Sequence, residues 1–253
     1  MANVSNKDQE FVNTYDVTKY ERPSVTVDML LFTVDEGKLK LMLIQRKKPP
    51  YQDIWAIPGG FLNIHESILD AAKRELKEET GMSAYLQQFE TFGEVDRDPR
   101  TRVISVAYLA LVPPQNFKRC MKAGDDAKKA KLFDVELLEN SSVIKKFTNI
   151  EVGSIYTQDL AFDHAYVIQQ GLRNLQTQLK YNTSRIAFTL VNDEFTMYDF
   201  QQVYEAILGV KLLKANFRRS FERDYVKTGI VKFTGKYCNK YPHPAKLYTL
   251  KEV

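Results

Sequence analysis

From Gly60 to Met82 the chain reads GFLNIHESILDAAKRELKEETGM, and this stretch constrains the fold more than any other. Five residues separate Gly60 from Glu66. Seven more precede Arg74-Glu75-Leu76, and Glu78-Glu79 and Gly81-Met82 follow. The core of the stretch is a short amphipathic helix. Ser67 is placed to cap its start, with Asp70 three residues on completing a capping box. Gly81 is placed to end it, because glycine tolerates the left-handed conformation. Leu69, Ala72 and Leu76 share one face at spacings of three and four. Glu75, Glu78 and Glu79 share another. Three carboxylates there repel one another and destabilise the helix by a few tenths of a kcal/mol per pair. A hard divalent cation reverses that penalty, since magnesium prefers oxygen ligands.

The spacing GX5EX7REUXEEXGU, with U aliphatic, is met at every position and resembles the Nudix box. Gln45-Arg46-Lys47 and Trp55-Ala56-Ile57-Pro58-Gly59-Gly60 resemble the strand and Pro-Gly-Gly turn that lead into it. The resemblance implies an α+β fold: a Nudix α/β/α sandwich with a mixed sheet. It also implies roles. Glu78 and Glu79 would be the chief metal ligands, Glu75 would assist, and the Gly60 carbonyl would complete the coordination. Glu66 and Arg74 would form an internal ion pair. The implied chemistry is attack of water on a nucleoside diphosphate derivative, with magnesium or manganese as cofactor. The catalytic residues would be Glu75, Glu78 and Glu79, with the identity of the base left open.

The 253-residue chain is long enough for one large domain or two small ones. No window approaches 18 uninterrupted apolar residues and the first twenty hold no apolar signal core, so a cytoplasmic protein without membrane contact is expected. Cys120 and Cys238 stand far apart and suggest neither a disulfide framework nor zinc. The net charge of +4 is unevenly spread. Residues 181–253 hold 12 Lys and Arg against 7 Asp and Glu, a net of +5, while residues 1–180 hold 24 against 25. A basic tail segment is compatible with nucleic-acid binding.

Along the chain, residues 1–22 read as a polar N-terminal arm and residues 23–180 as the first domain. Strands are predicted over 24–32 and 39–45, with a turn at Asp35-Glu36-Gly37. Residues 103–112 form a nearly continuous apolar run, the pattern of a strand buried on both faces. Another strand is expected at 131–137, then a polar stretch to about 158. Residues 162–180 read as a helix with Ala165, Ile168, Leu172, Leu175 and Leu179 in one stripe.

Residues 181–253 read as a winged helix-turn-helix domain. A connecting strand is expected at 186–191. Thr196, with Asp199 three residues on, begins a helix whose stripe is Phe200, Val203, Tyr204, Ile207 and Leu208, and Gly209 ends it. A second helix is predicted from 213 to 226, followed by strands at 230–234 and 245–250. That helix carries Lys214, Asn216, Arg218, Arg219 and Arg223, the residue types that read phosphates and base edges of duplex DNA. Asn216, Arg219 and Arg223 are spaced to point together, and Phe217, Phe221 and Tyr225 form a separate apolar stripe. Lys232, Lys236, Lys240 and Lys246 lie on the wing. The alternative is a winged helix that serves only for packing or dimerisation.

A second resemblance covers nearly the whole chain. Arg97-Asp98-Pro99-Arg100, Val103 to Tyr108, Ala123-Gly124-Asp125-Asp126-Ala127 and Phe162-Asp163-His164 resemble ADP-ribose-type Nudix proteins. Val203 to Gly209, Asn216-Phe217-Arg218-Arg219 and Pro244 to Tyr248 resemble the tail of the NrtR family of Nudix-related repressors. That resemblance implies an ADP-ribose-like ligand, duplex DNA as partner and a homodimer. Many such regulators have a degraded box; this chain keeps every acidic position, which favours retained hydrolysis. Arg46, Arg97, Arg100 and Arg102 are the candidate substrate-binding residues, suited to bidentate contact with phosphate or ribose. His164, His65 and Trp55 read as structural or incidental.

Overall fold

The structure is a computed structural model that describes residues 5–117, 130–139, 141–181, 185–239 and 243–251. The tract Ala123–Ala127, Cys120 and Lys240 lie outside the described residues. Strands β1 (Ser24–Asp35) and β2 (Lys38–Gln45) form an antiparallel hairpin. Its two-residue turn, Glu36-Gly37, has φ of 53° and 72°, the left-handed pair that matches the twist of adjoining strands. β2 also pairs with β3 (Trp55–Ala56), and β4 (Gly59–Phe61) pairs with β1. β6 (Val103–Leu111) runs parallel to β1, with β5 (Tyr85–Phe92) antiparallel on its far side. Beyond β2 come β7 (Ala130–Leu137), β8 (Ile144–Asn149) and β9 (Gly153–Tyr156), giving the order β5-β6-β1-β2-β7-β8-β9. β8 and β9 were not expected from the polar sequence there.

The period-two alternation of β1 builds both layers. Val27, Met29 and Leu31 face α2 (Ile68–Thr80) with Ala71, Ala72 and Leu76. Leu30, Phe32 and Val34 face α3 (His164–Tyr181) with Ile168, Leu172, Leu175 and Leu179. Leu69 was expected in the α2 core; it is half exposed, and Ala71 takes its place. The expected capping box at Ser67 is half made. Ser67 Oγ accepts from Asp70 N–H, but its own hydroxyl, not its main chain, donates to the Asp70 carboxylate. Gly81 ends α2 at φ 68°. Within the N-terminal arm, α1 (Asn6–Thr14) is fully exposed and carries its own capping box from Ser5.

The C-terminal part is a winged helix. α4 (Met197–Leu208) begins with a complete Thr196–Asp199 capping box and ends at Gly209, φ 68°. α5 (Lys214–Phe221) follows, and a π-helical turn continues it over Glu222–Val226. β10 (Phe195–Thr196), β12 (Ala245–Leu250) and β11 (Val231–Cys238) form the wing sheet. Residues Arg185–Leu190 are a 3-10 helix and not the expected strand. Ile186, Ala187, Phe188 and Leu190 are all buried there, and a continuous apolar run does not reveal its own period. Phe188 stacks on Phe200 at 4.6 Å, and Phe217, Phe221 and Tyr225 surround Phe200. These rings share one core with Leu172, Leu175 and Leu179 of α3, so the two parts pack as one body. Among the described residues, no helix is long and apolar enough to cross a membrane.

Candidate active site and nucleic-acid interface

The acidic face of α2 closes one side of a cleft of about 740 Å³. β4 brings the main chain against that face. A Cβ on Gly60 would lie 2.1 Å from Glu75 Oε1, so only glycine admits the carboxylate there. Glu79 Oε2 accepts the Gly59 N–H at 2.9 Å. Burial pushes the Glu79 carboxyl up to about 8, and the nearby charges of Glu75, Asp28 and Glu78 add to the shift.

Arg74 gathers the rest of the box. Its Nε and Nη2 donate to the two Glu66 oxygens at 3.0 and 2.6 Å, the expected ion pair. Its Nη1 reaches Glu75 at 2.7 Å and Glu78 at 3.2 Å, and Nη2 also donates to the Phe61 carbonyl. The Arg74 hydrogen bonds, followed by one from Asn63 N–H, hold Glu66 down to about 2. Among the described residues, no three His, Cys, Asp or Glu side chains already stand in a ligand cluster. The reason is visible: Arg74 engages Glu75 and Glu78, while Glu79 turns to Gly59. The donor set nonetheless fits a hard cation. It is all oxygen, and Glu79 is partly buried without an ion pair among the described residues.

The opposite wall is cationic. Arg46 Nε donates to the Pro50 carbonyl at 2.8 Å, and its guanidinium lies 4.7 Å from the centre of the Phe162 ring. Burial, then the neighbouring Arg100, lowers its pKa. Arg100 forms a bidentate pair with Asp98 at 3.0 and 2.7 Å and sits between Phe61 and Phe162. Phe162 holds φ 52°, a conformation that non-glycine residues adopt at a cost of order 1–3 kcal/mol.

The four expected arginines therefore separate. Arg46 and Arg100 line the cleft with exposed faces toward it. Arg97 also borders the cleft, but its side chain is 5 % exposed and its charge is spent elsewhere. It makes two hydrogen bonds to Asp163, at 2.9 and 2.8 Å, and one to Asp28 at 3.3 Å. Burial opposes its charge, and those carboxylates more than offset it. Arg102 donates to the Glu94 carbonyl and is not part of the cleft lining.

His164, read as structural from its place at a helix start, is buried and borders the cleft. Its Nδ1 accepts the Ile57 N–H at 3.1 Å, and burial lowers its pKa so that it stays neutral. His65 is exposed, and Trp55 packs on Phe133 at 5.0 Å. Asp98, Asp163 and Phe162 stand in motifs quoted above that were given no individual role, and Asp28 was not singled out. Asp28 had a signal: it is the lone acid in the apolar strand SVTVDMLLF.

On the winged helix, Lys214, Asn216, Arg218 and Arg219 are exposed along α5. Arg219 Nη2 donates to Asn216 Oδ1, so these two do lie together. Arg218 is 3.5 Å from Glu222, and Lys214 lies over the Tyr198 ring. Arg223 lies in the π-helical turn and pairs with Asp224 at 2.6 and 2.8 Å. On the wing, Lys232 and Lys246 are exposed and Lys236 pairs with Glu194.

An acidic box helix under a mixed sheet, joined to a winged helix, defines the class. The model of the NUDIX domain matches residues 22–150, and that of the NrtR DNA-binding winged helix domain matches residues 187–250. The chain belongs to the Nudix family, in the branch that carries the NrtR winged helix. It is 33% identical over 244 residues to an ADPR responsive transcriptional repressor, NtrR, of Acinetobacter baylyi, covering 95% of this chain and 87% of that one. It is 32% identical over 169 residues to an ADP-ribose pyrophosphatase of Methanocaldococcus jannaschii, covering 65% of this chain and 84% of the relative. The fold matches Shewanella oneidensis NrtR complexed with a 27mer DNA at a TM-score of 0.70 and 28% identity, covering 90% and 93% of the two chains.

Proposed function

We propose that this chain is a metal-dependent Nudix hydrolase of a nucleoside diphosphate derivative, with ADP-ribose first, and that its winged helix binds duplex DNA. Cleavage of ADP-ribose would give AMP and ribose 5-phosphate. The observation that carries the reading is Glu79: a partly buried carboxyl beside Glu75 and Glu78, facing the Arg46 wall across the cleft. Glu75, Glu78, Glu79 and the Gly60 carbonyl would hold magnesium or manganese. Such an ion, when bound, supplies charge neutralisation for the pyrophosphate and a more acidic attacking water. Arg46 offers a guanidinium whose charge no carboxylate in direct contact offsets among the described residues, suited to a ligand phosphate. Arg100, held by Asp98, presents a second cation and orients the aromatic wall of Phe61 and Phe162. Asp28, Arg97 and Asp163 brace the cleft floor.

A second reading has its own support. The exposed Lys214, Asn216, Arg218 and Arg219, together with the family's winged helix, favour an ADP-ribose-responsive transcriptional regulator in which hydrolysis is weak or resets the signal. A homodimer on a two-fold operator would suit it.

The test is a magnesium-dependent hydrolysis screen over ADP-ribose, nucleotide sugars, dinucleotides and nucleoside triphosphates. ADP-ribose should give the highest kcat/KM. A triphosphate or nucleotide sugar cleaved far more efficiently refutes the substrate assignment, and no turnover of any compound leaves the regulator reading.

A further inference from the structure

α3 touches both functional regions. At its start, Asp163 binds Arg97, Phe162 lies under the Arg46 guanidinium, and His164 accepts the Ile57 N–H. All three border or underlie the nucleotide cleft. Along its middle the helix is pressed against the sheet: a Cβ on Gly171 would lie 2.0 Å from Leu30 Cδ1. Toward its far end, Gln176 Nε2 donates to the Ile207 carbonyl at 2.8 Å. Ile207 lies in the last turn of α4, where helix carbonyls lack partners within the helix. Gln176 is about 18 Å along the axis from His164, at 1.5 Å per residue. A helix that long moves as a rod, so a shift at its start is felt at the other end.

We infer that α3 is the strut through which occupancy of the nucleotide cleft alters DNA binding, and that Gln176 is the residue by which α4 reads it. This rests on the reading that the cleft takes ADP-ribose and the winged helix takes DNA. The ligand acts on Arg46 and, through Phe162 and the Arg97–Asp163 pair, on the start of α3. Gln176 passes that displacement to the end of α4. Phe200 and Tyr204 of α4 contact Phe217 of α5, so the exposed face of α5 turns with it. The coupling is reciprocal: ADP-ribose and DNA must change each other's affinity by the same factor.

The experiment uses the full chain in EDTA, which prevents turnover, with ADP-ribose and a duplex selected by the wild type from a random library. Wild type should show a coupling factor in the usual 5–150-fold range. Gln176→Met keeps the volume and removes the donor. It should bind each ligand alone with wild-type affinity while the coupling factor falls at least threefold. Gln178→Met is the control, because among the described residues the Gln178 side chain bonds only Asn174 of its own helix; its coupling should match wild type. An unchanged factor in Gln176→Met, or an equal loss in Gln178→Met, overturns the strut. Wild type that binds both ligands without coupling overturns it too, leaving the two binding functions standing. Wild type that fails to bind one ligand overturns the functional reading and the strut together. A variant-free arm is hydrogen exchange: ADP-ribose should change protection over residues 197–208, and unchanged protection there overturns the inference.

Discussion

Replacing Glu79 by glutamine should stabilise the metal-free protein at alkaline pH while abolishing most hydrolysis. Glutamine is nearly isosteric and can still accept the Gly59 N–H. What it removes is a partly buried charge. In the folded chain Glu79 titrates at about 8, against 4.5 for an unperturbed glutamate. Folding therefore raises this pKa, and between the two values the native state holds a proton that the unfolded state has released. Stability must fall as pH rises through that window, by about 1.4 kcal/mol per unit, and the loss is complete above about pH 8. The full shift corresponds to roughly 5 kcal/mol. The part of that window above pH 6 is about two units, or roughly 2–3 kcal/mol.

Urea unfolding in EDTA at pH 6 and pH 9 reads this directly. The difference between wild type and Glu79→Gln cancels every other titrating group. Wild type should lose roughly 2–3 kcal/mol relative to the variant on going from pH 6 to pH 9. Saturating magnesium should reverse the order, because a ligand of the native state stabilises it. Hydrolysis by the variant should drop about a hundredfold or more, the range for losing several kcal/mol of charge stabilisation. If the difference is flat across pH, Glu79 is not buried as described. If the variant retains near wild-type turnover, it is no metal ligand.

Two cleft arginines should behave in opposite ways. Arg46→Gln should raise KM for ADP-ribose roughly tenfold or more with little loss of stability, as removal of a charged hydrogen bond to the ligand predicts. Arg97→Gln strands Asp28 and Asp163 in a buried site and should destabilise folding by about 3–5 kcal/mol; a loss below 1 kcal/mol in urea unfolding contradicts the bracing role. On the DNA side, Arg218→Ala/Arg219→Ala should lower the slope of log affinity against log salt by about two without changing hydrolysis. Arg223→Ala should leave that slope in place, since Asp224 already neutralises Arg223, and a slope change there refutes the assignment.

The box helix was legible because its information is local. Ser67, Gly81 and the spacing of Ala72 and Leu76 act within one or two turns, and β1 declares both layers by alternation. β8 and β9 were not legible. Their buried residues, Ile144, Phe147 and Ile155, are few, and a register shift between Glu136 and Leu137 on the neighbouring strand spoils the period-two pattern. The arginines show the same limit in the site. Nothing near Arg97 in sequence tells it from Arg46, because its partners Asp163 and Asp28 lie 66 and 69 residues away.

Two devices balance the acids of the box, and both bear on the choice between enzyme and sensor. Arg74 neutralises Glu75 and Glu78, and a raised pKa keeps Glu79 protonated near neutral pH. For the carboxylates to face a cation together, Arg74 must release two of them. Glu66 makes that release feasible, since its bidentate pair leaves Arg74 satisfied after the others turn away. Glutamine at position 79 would keep the Gly59 hydrogen bond and shed the burial penalty, and apolar residues could replace Glu78 on the α2 surface. On the proposed reading, the retained acids serve hydrolysis, and the winged helix adds DNA binding to an enzyme whose site remains chemically complete.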